Sequence, residues 1–229
     1  MESNNGRAGI LDRLSAGETL VFDGATGTYL QQHGLEPGGS PELMNANEPK
    51  IIQGMAKQYF DAGSDIVLTN TFGGNKFMLE KYGAGDRVFE LNRLGAEHAR
   101  AAAPSGKYVA GSIGPTGEFI QPLGTVTEED LYDTFAEMAT AFEAGGADAV
   151  MIETQLAIEE ASIAVRAAKE NTKLVVMSTM VFDKGPRGYF TMMGVTPEQA
   201  VEGLEQAGAD VVGTNCGNGI ERMVEIATK

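Results

Sequence analysis

Three short apolar segments of the sequence each end at polar side chains that could do chemistry. The residues at these ends are Asn70, Glu153, Asn215 and Cys216. An amide can hold a ligand by hydrogen bonds, a carboxylate can bind an ammonium group, and a thiolate can act as a nucleophile or a metal ligand. In parallel α/β folds the working groups lie just beyond the carboxyl ends of the strands. If the three segments are parallel strands, the pattern predicts that these side chains meet at one edge of a sheet.

A fourth candidate is the loop at residues 23–28, whose sequence is Asp-Gly-Ala-Thr-Gly-Thr. Its closely spaced glycines free backbone N–H groups to approach an anion such as an amino-acid carboxylate. The loop lacks the lysine of a phosphate-binding P-loop and the glycine spacing of a dinucleotide fingerprint. A plain turn explains the glycines equally well, so both interpretations stay open.

The chemistry of Cys216 and Glu153 also stays open when each residue is considered alone. Cys216 is the only cysteine, so an intramolecular disulfide is excluded, and the residue is a buried apolar side chain, a metal ligand or a nucleophile. A Cys–His catalytic pair has little support, because His98 falls in an Ala/Arg-rich helical segment and His33 in a polar loop. No cluster of Cys and His supplies the three or four ligands that zinc requires. Glu153 either binds a substrate ammonium or caps a neighbouring backbone.

A recurring joint precedes the three polar ends and explains how they could be positioned. Residues 62–67, 145–150 and 207–212 each end a helical pattern at glycine, turn, and enter a short apolar run. Such a run is typical of a buried strand. The repeated joint therefore predicts parallel strands whose carboxyl ends point the same way.

Six helix patterns alternate with six strand patterns along the chain, which implies right-handed crossovers and a parallel sheet. Strands are expected at residues 20–22, 65–68, 108–111, 149–152, 174–180 and 211–213. Helices are expected at residues 49–63, 86–103, 127–142, 158–170 and 220–227, and after the capping box that begins at Thr196. The loop 34–48 is the longest irregular segment and could cover a site.

The chain length is consistent with one domain but leaves the closure of the sheet open. With 229 residues, the chain can bury a single sizeable core. A barrel of eight strand–helix units typically takes about 250 residues, and only six units are recognisable here. The sequence is therefore compatible with an open doubly wound sheet, or with a barrel of which this chain holds six units.

Charge and hydropathy argue against two classes of partner. The formal net charge is -15 at pH 7, which would repel the phosphate backbone of a nucleic acid. No apolar run is long enough to span a membrane, and the first five residues lack the basic and apolar regions of a signal peptide. We therefore expect a cytoplasmic protein with no nucleic acid or membrane partner.

Five motifs, taken in order, resemble those of the homocysteine S-methyltransferase family. They are Asp-Gly-Ala-Thr-Gly-Thr at 23–28, Thr-Asn-Thr-Phe at 69–72, Gly-Ser-Ile-Gly-Pro-Thr-Gly-Glu at 111–118, Ile-Glu-Thr at 152–154 and Gly-Thr-Asn-Cys at 213–216. The resemblance spans residues 18–227 and is closest to the homocysteine-binding domain of cobalamin-dependent methionine synthase. It implies an α/β fold of the (βα)8 TIM-barrel type, with residues 1–17 as an N-terminal segment and residues 18–229 as a barrel domain that holds about six of the eight units.

The resemblance also implies a chemistry, in which a methyl group is transferred to homocysteine to give methionine. In the family, zinc on three cysteine thiolates takes the homocysteine sulfur as its fourth ligand and lowers the pKa of that thiol. Carried over to matching positions, Cys216 is the catalytic zinc ligand, Glu153 binds the homocysteine ammonium, and the backbone at Gly24 and Ala25 binds its carboxylate. The residues expected to support the substrate at the strand ends are Asp23, Asn70 and Asn215.

One departure from the family pattern shapes the remaining expectations. The other two zinc cysteines of the family form an adjacent pair, and this sequence contains no such pair. We therefore expect a domain that lacks its last two strand–helix units and binds zinc only when complete. Its open sheet edges should either associate with those of another copy or leave a gap between the strand at Leu20 and the strand at Val211. Cobalamin is expected as a methyl carrier on another domain or on a corrinoid protein. The alternatives are a corrinoid-dependent methyltransferase component with another substrate, and a non-catalytic, metal-free fragment.

Overall fold

A parallel sheet of five strands, covered by helices, forms the centre of the molecule. The computed structural model describes residues 8–228, so residues 1–7 of the predicted N-terminal segment and Lys229 lie outside the described residues. The strands of this sheet are β1 (Ile66–Leu68), β2 (Tyr108–Ile113), β3 (Ala149–Gln155), β4 (Val175–Met180) and β7 (Val211–Thr214), in the order β1-β2-β3-β4-β7. All four neighbouring pairs are parallel. The predicted parallel α/β fold is therefore confirmed.

Helices connect the strands and pack against one side of the sheet. The long ones are α4 (Pro49–Asp61), α6 (Val88–Ala102), α7 (Glu128–Ala144), α8 (Ile158–Asn171), α9 (Pro197–Ala207) and α10 (Ile220–Ala227). Each of these corresponds to a predicted helix. Capping boxes begin α7 at Thr127 and α9 at Thr196, which explains why their starts could be read from the sequence. The sheet and helices enclose the main apolar core, in which Phe135 and Phe142 of α7 are fully buried. Within residues 8–228, no helix is both long and apolar enough to cross a membrane.

Several short elements were not predicted from the sequence. They are the helices α1 (Ile10–Ser15), α2 (Gly27–Gln32), α3 (Met44–Asn47) and α5 (Lys76–Glu80), a 3-10 turn at Gly85–Arg87, and a hairpin of β5 (Asp183–Gly185) with β6 (Gly188–Phe190). Helix α1 lies at the amino ends of the strands, where Ile10 joins the apolar cluster that contains Tyr108. The Tyr108 hydroxyl donates to the carbonyl oxygen of Ala8 at 2.6 Å. This contact holds α1 against the amino ends of the strands.

The predicted strand at residues 20–22 is wrong as a strand, because this segment pairs with β1 at a single bridge between Phe22 and Ile66. Asp23 N–H still donates to the Ile66 carbonyl at 3.1 Å. The next N–H of β1, that of Leu68, donates instead to the Asp23 carboxylate at 2.9 Å. A side chain therefore takes the bond that would extend the ladder. In the described residues the sheet is open, with this segment at one edge and β7 at the other.

The recurring joint at residues 62–67, 145–150 and 207–212 bonds the amino ends of neighbouring strands to one another. In each copy the aspartate N–H donates to a valine carbonyl on the neighbouring strand or, for Val21, the neighbouring extended segment at 2.7 to 2.8 Å. The aspartate carboxylate accepts from that valine's N–H at 2.8 to 3.0 Å. The pairs are Asp65 with Val21, Asp148 with Val109 and Asp210 with Val176. A basic side chain contacts each carboxylate, from Lys107, Arg100 and Lys169 respectively. These aspartate–valine contacts, here called clamps, fix the strand register. The polar residues are thereby brought together at the carboxyl ends of the strands.

Removing one clamp should destabilise the fold. Asp148→Ala leaves the N–H of fully buried Val109 without its side-chain acceptor, and we expect a loss of about 1 to 3 kcal/mol in the free energy of unfolding. Urea denaturation would measure this loss. The matched control is Asp133→Ala, at an exposed position on α7. Equal stability of the two variants would show that the joint does not hold the sheet.

Candidate functional site

A cavity of about 910 Å³ opens at the carboxyl ends of the sheet strands. The seven site residues predicted from the sequence all line it, namely Asp23, Gly24, Ala25, Asn70, Glu153, Asn215 and Cys216. Neither His33 nor His98 is among the lining residues. Three carboxylates line the cavity, and the described lining residues include no Lys, Arg or His. The cavity therefore has a negative character that favours a ligand with a positively charged group.

Glu153 lies in β3 at the point where the ladder with β4 is interrupted, between Ile152 and Gln155. Ser112 Oγ donates to Glu153 Oε1 at 2.6 Å, and Asn215 Nδ2 donates to Oε2 at 3.2 Å. Burial raises the pKa of the Glu153 carboxyl, and the Ser112 hydrogen bond partly opposes this shift. The carboxylate is therefore oriented by two donors that carry no charge.

Asp23 has one satisfied and one unsatisfied carboxylate oxygen. Its Oδ2 accepts the Leu68 N–H, whereas Oδ1 is buried and has no hydrogen-bond partner among the described residues. Burial raises the pKa of Asp23 to about 7, the Leu68 N–H lowers it, and repulsion from Glu153 adds to the rise. An unsatisfied buried oxygen beside a second carboxylate is suited to bind a donor with positive charge.

The loop at Gly24 and Ala25 is held against α4. Tyr59 Oη donates to the Ala25 carbonyl at 2.6 Å, and a Cβ at Gly24 would lie 3.3 Å from the Tyr59 ring. In residues 8–228, the N–H groups of Gly24 and Ala25 have no hydrogen-bond acceptor. Two free N–H groups at the cavity wall could bind a carboxylate, which is the role that the resemblance implies for them.

Asn70 fastens a covering segment to the end of β1. Its Nδ2 donates to the Pro41 carbonyl at 2.7 Å and to Asn45 Oδ1 at 2.9 Å. Glu42 is buried, and its Oε1 accepts the Gly73 N–H at 2.8 Å. The predicted loop 34–48 thus places Pro41 and Glu42 on the cavity wall, and both amide hydrogens of Asn70 hold it there.

Cys216 is exposed at the end of β7 and has a left-handed backbone, with φ at 58°. Its Sγ lies 3.4 Å from Asn215 Nδ2 and 3.6 Å from Thr154 Oγ1. Zinc requires three or four Cys, His or carboxylate ligands. Residues 8–228 contain no group of three such side chains that could hold a metal ion. The donor set described here therefore does not fit a zinc site by itself.

Four of the side chains that build the site had no role in the sequence-based prediction. Ser112 and Thr154 lay inside recognised motifs just after the predicted strands 108–111 and 149–152, so their position was a usable signal. Thr179 of β4 donates to Asn215 Oδ1 at 2.9 Å, although its strand end carried no motif. Tyr59 reaches the loop from a helix, and nothing in the local sequence indicates this contact.

Comparison with known proteins decides the family. The model of the homocysteine S-methyltransferase family matches residues 20–229, which is nearly the whole chain. The chain belongs to the homocysteine S-methyltransferase family. Its parallel α/β sheet is of the fold class that the five motifs implied.

Curated relatives in the homocysteine S-methyltransferase family are longer than this chain. It is 32% identical to methionine synthase of Mycobacterium tuberculosis (strain ATCC 25618 / H37Rv), in an alignment covering 94% of this chain and 19% of that protein. It is 31% identical to betaine–homocysteine S-methyltransferase 1 of Danio rerio, covering 92% of this chain and 52% of that protein. The chain thus spans about a fifth and about half of these two relatives.

Solved structures support the fold. The apo form of the homocysteine methyltransferase MmuM from Escherichia coli superposes with a TM-score of 0.69 at 18% identity, covering 93% of this chain and 77% of that one. The oxidized form of MmuM gives 0.64 at 16% identity, covering 95% and 97%. The fold of this homocysteine S-methyltransferase domain is therefore of the TIM-barrel type, with the barrel open in the described residues.

Proposed function

We propose that this chain binds homocysteine in the cavity and that the protein containing it transfers a methyl group to the homocysteine sulfur, giving methionine. One observation carries this proposal: the cavity combines half-buried carboxylates at Asp23 and Glu153 with free N–H groups at Gly24 and Ala25. An α-amino acid presents an ammonium and a carboxylate on the same carbon, and these two sets of groups complement it. The Cys216 end of the cavity is left for the thiol.

The residues of this chain have distinct tasks in the proposed reaction. Glu153 and Asp23 hold the ammonium, and the N–H groups of Gly24 and Ala25 hold the carboxylate, so the homocysteine sulfur is directed towards a methyl donor at the mouth. The thiol first loses its proton to solvent at the mouth, and the resulting thiolate sulfur forms a bond to the methyl carbon while the donor atom leaves with the electron pair of the broken bond. Holding the sulfur and the methyl carbon in line lowers the entropic part of the activation free energy of methyl transfer.

Zinc and cobalamin enter this proposal through the family alone. Cys216 would supply one thiolate to zinc, and the other ligands would have to come from residues outside those described. A corrinoid protein or domain as methyl carrier is proposed from the methionine synthase relative. Self-association through the open sheet edges and a cytoplasmic location stay predictions from the sequence.

Two alternatives compete with the proposal. A corrinoid-dependent methyltransferase component with another acceptor would use the same cavity, and a non-catalytic module would keep the fold without a substrate. The paired carboxylate and N–H groups favour an amino-acid ligand over both. Binding of a thiol without an ammonium group as tightly as homocysteine would favour the first alternative. Binding of no ligand at all would favour the second.

Calorimetric titration tests the proposed function directly. The purified chain is titrated with L-homocysteine and with 4-mercaptobutyric acid, which lacks the ammonium group, each with and without one equivalent of zinc. We expect homocysteine to bind at least about tenfold more tightly than the analogue. We also expect the dialysed chain to retain well below one zinc, because one thiolate cannot complete a tetrahedral site. Equal affinity for the two thiols, or no binding of either, would contradict the proposal.

A further inference from the structure

The side-chain amide of Asn215 joins three neighbouring strand ends at the mouth of the cavity. It follows β7 and reaches Glu153 and Thr154 on β3 as well as Thr179 on β4. These contacts span 36 to 62 positions in the sequence. Asn215 is therefore placed to fix how the ends of β3, β4 and β7 sit relative to one another.

The hydrogen-bonding capacity of this amide is used within the protein. Oδ1 accepts the Thr154 N–H and the Thr179 hydroxyl, each at 2.9 Å. Nδ2 lies 2.9 Å from Thr154 Oγ1, 3.2 Å from Glu153 Oε2 and 3.4 Å from Cys216 Sγ. An amide has two hydrogens to donate and two lone pairs to accept with. Asn215 consequently has no hydrogen bond left for a substrate.

The two residues on either side of this contact have unusual backbones. Thr154 has a φ of 62° and Cys216 a φ of 58°, both in the left-handed region that non-glycine residues rarely adopt. Such conformations persist where surrounding contacts over-determine them, and they cluster at functional sites. Asn215 bonds the backbone and hydroxyl of Thr154 and directly precedes Cys216. Asn215 therefore links the two residues that have left-handed backbones.

We propose that Asn215 is a positioning residue rather than a substrate contact. It holds the Glu153 carboxylate and the Cys216 thiol at a fixed separation, and it thereby sets the ammonium-to-sulfur length of the amino thiol that the cavity accepts. This inference deepens the proposed function and rests on it for what Glu153 and Cys216 hold. A site of fixed length prefers homocysteine to cysteine, which is one methylene shorter.

The test uses Asn215→Ala and Asn215→Asp in the chain as it is, with two measurements. Amide hydrogen exchange, followed by NMR, reports the Thr154 N–H in the absence of ligand. In Asn215→Ala we expect protection of this N–H to fall about tenfold or more, because its acceptor is lost. In Asn215→Asp we expect protection to be retained, because a carboxylate oxygen accepts the same bond.

Ligand affinity is the second measurement. Both variants should bind homocysteine about tenfold more weakly, since each lacks the donor that orients Glu153 Oε2, and the preference for homocysteine over cysteine should fall with it. Asn171→Ala, at the end of α8 on the outside of the molecule, is the control and should change neither measurement.

The outcomes separate the possible roles of Asn215. Unchanged exchange at Thr154 in Asn215→Ala, with weaker homocysteine binding, would mean that Asn215 contacts the substrate directly and would overturn the inference. Loss of protection throughout the sheet, including Val109, would mean a general structural role and would also overturn it. If the unmodified chain does not bind homocysteine, the proposed function fails, and the exchange pattern at Thr154 in the two variants still decides whether Asn215 positions the mouth.

Discussion

Asp23→Asn is expected to change the free energy of unfolding in a pH-dependent way. The free energy of unfolding of the variant, minus that of the unmodified chain, should be about 2 to 4 kcal/mol larger at pH 8 than at pH 4. The pKa of Asp23 is raised to about 7 from its ordinary value of 3.8, mainly by burial. The unfolded chain therefore releases this proton at lower pH than the folded chain does. The stability associated with the neutral carboxyl is fully present below pH 3.8 and is lost as the pH rises to about 7. Asparagine cannot ionise, so it avoids this loss.

Urea denaturation at the two pH values measures the effect. A comparison between pH values cancels the constant cost of placing an amide NH2 where the unsatisfied Oδ1 of Asp23 now lies. Asp133→Asn, at an exposed position, is the control for general charge effects. A pH-independent difference between Asp23→Asn and the unmodified chain would show that Asp23 is ionised at an ordinary pKa. Because the charge that destabilises the fold is the one proposed to attract the ammonium, the variant should also bind homocysteine more weakly at pH 8.

Glu153→Gln is expected to weaken homocysteine binding by about ten- to a hundredfold, equivalent to about 1.5 to 3 kcal/mol. Glutamine preserves the shape and can accept one of the hydrogen bonds from Ser112 and Asn215. It removes the charge that the proposal assigns to the homocysteine ammonium. A charge-assisted hydrogen bond is thus exchanged for a weaker, neutral one in a half-buried position.

Calorimetric titration with two ligands makes this result specific. The affinity of 4-mercaptobutyric acid, which has no ammonium group, should not decrease in Glu153→Gln. Glu159→Gln, at an exposed position on α8, serves as the matched control and should bind homocysteine normally. Unchanged homocysteine affinity in Glu153→Gln would remove Glu153 from the substrate site.

Local sequence signals were sufficient for most of the architecture. The starts of α7 and α9 follow from capping boxes, in which the bonded residues are three positions apart. Strands β1, β3 and β7 follow the recurring joint, and their polar ends do line one cavity. The prediction failed at residues 20–22, where the Asp23 side chain takes the bond that a longer ladder needs. Whether a run of three apolar residues becomes a strand depends on such a partner.

Which chemical groups stand at the ends of the strands follows from residue type and from the helix–strand alternation, and both are properties of short segments. How those groups are used follows from the folded structure. Asn70 and Asn215 looked alike as amides after strands, yet one fastens the covering segment at Pro41 and the other joins three strand ends at Thr154 and Thr179. Their partners lie 29 to 61 positions away in the sequence. An amide has the same donors and acceptors in either place, so its role depends on which distant atoms the fold brings within 3 Å of it.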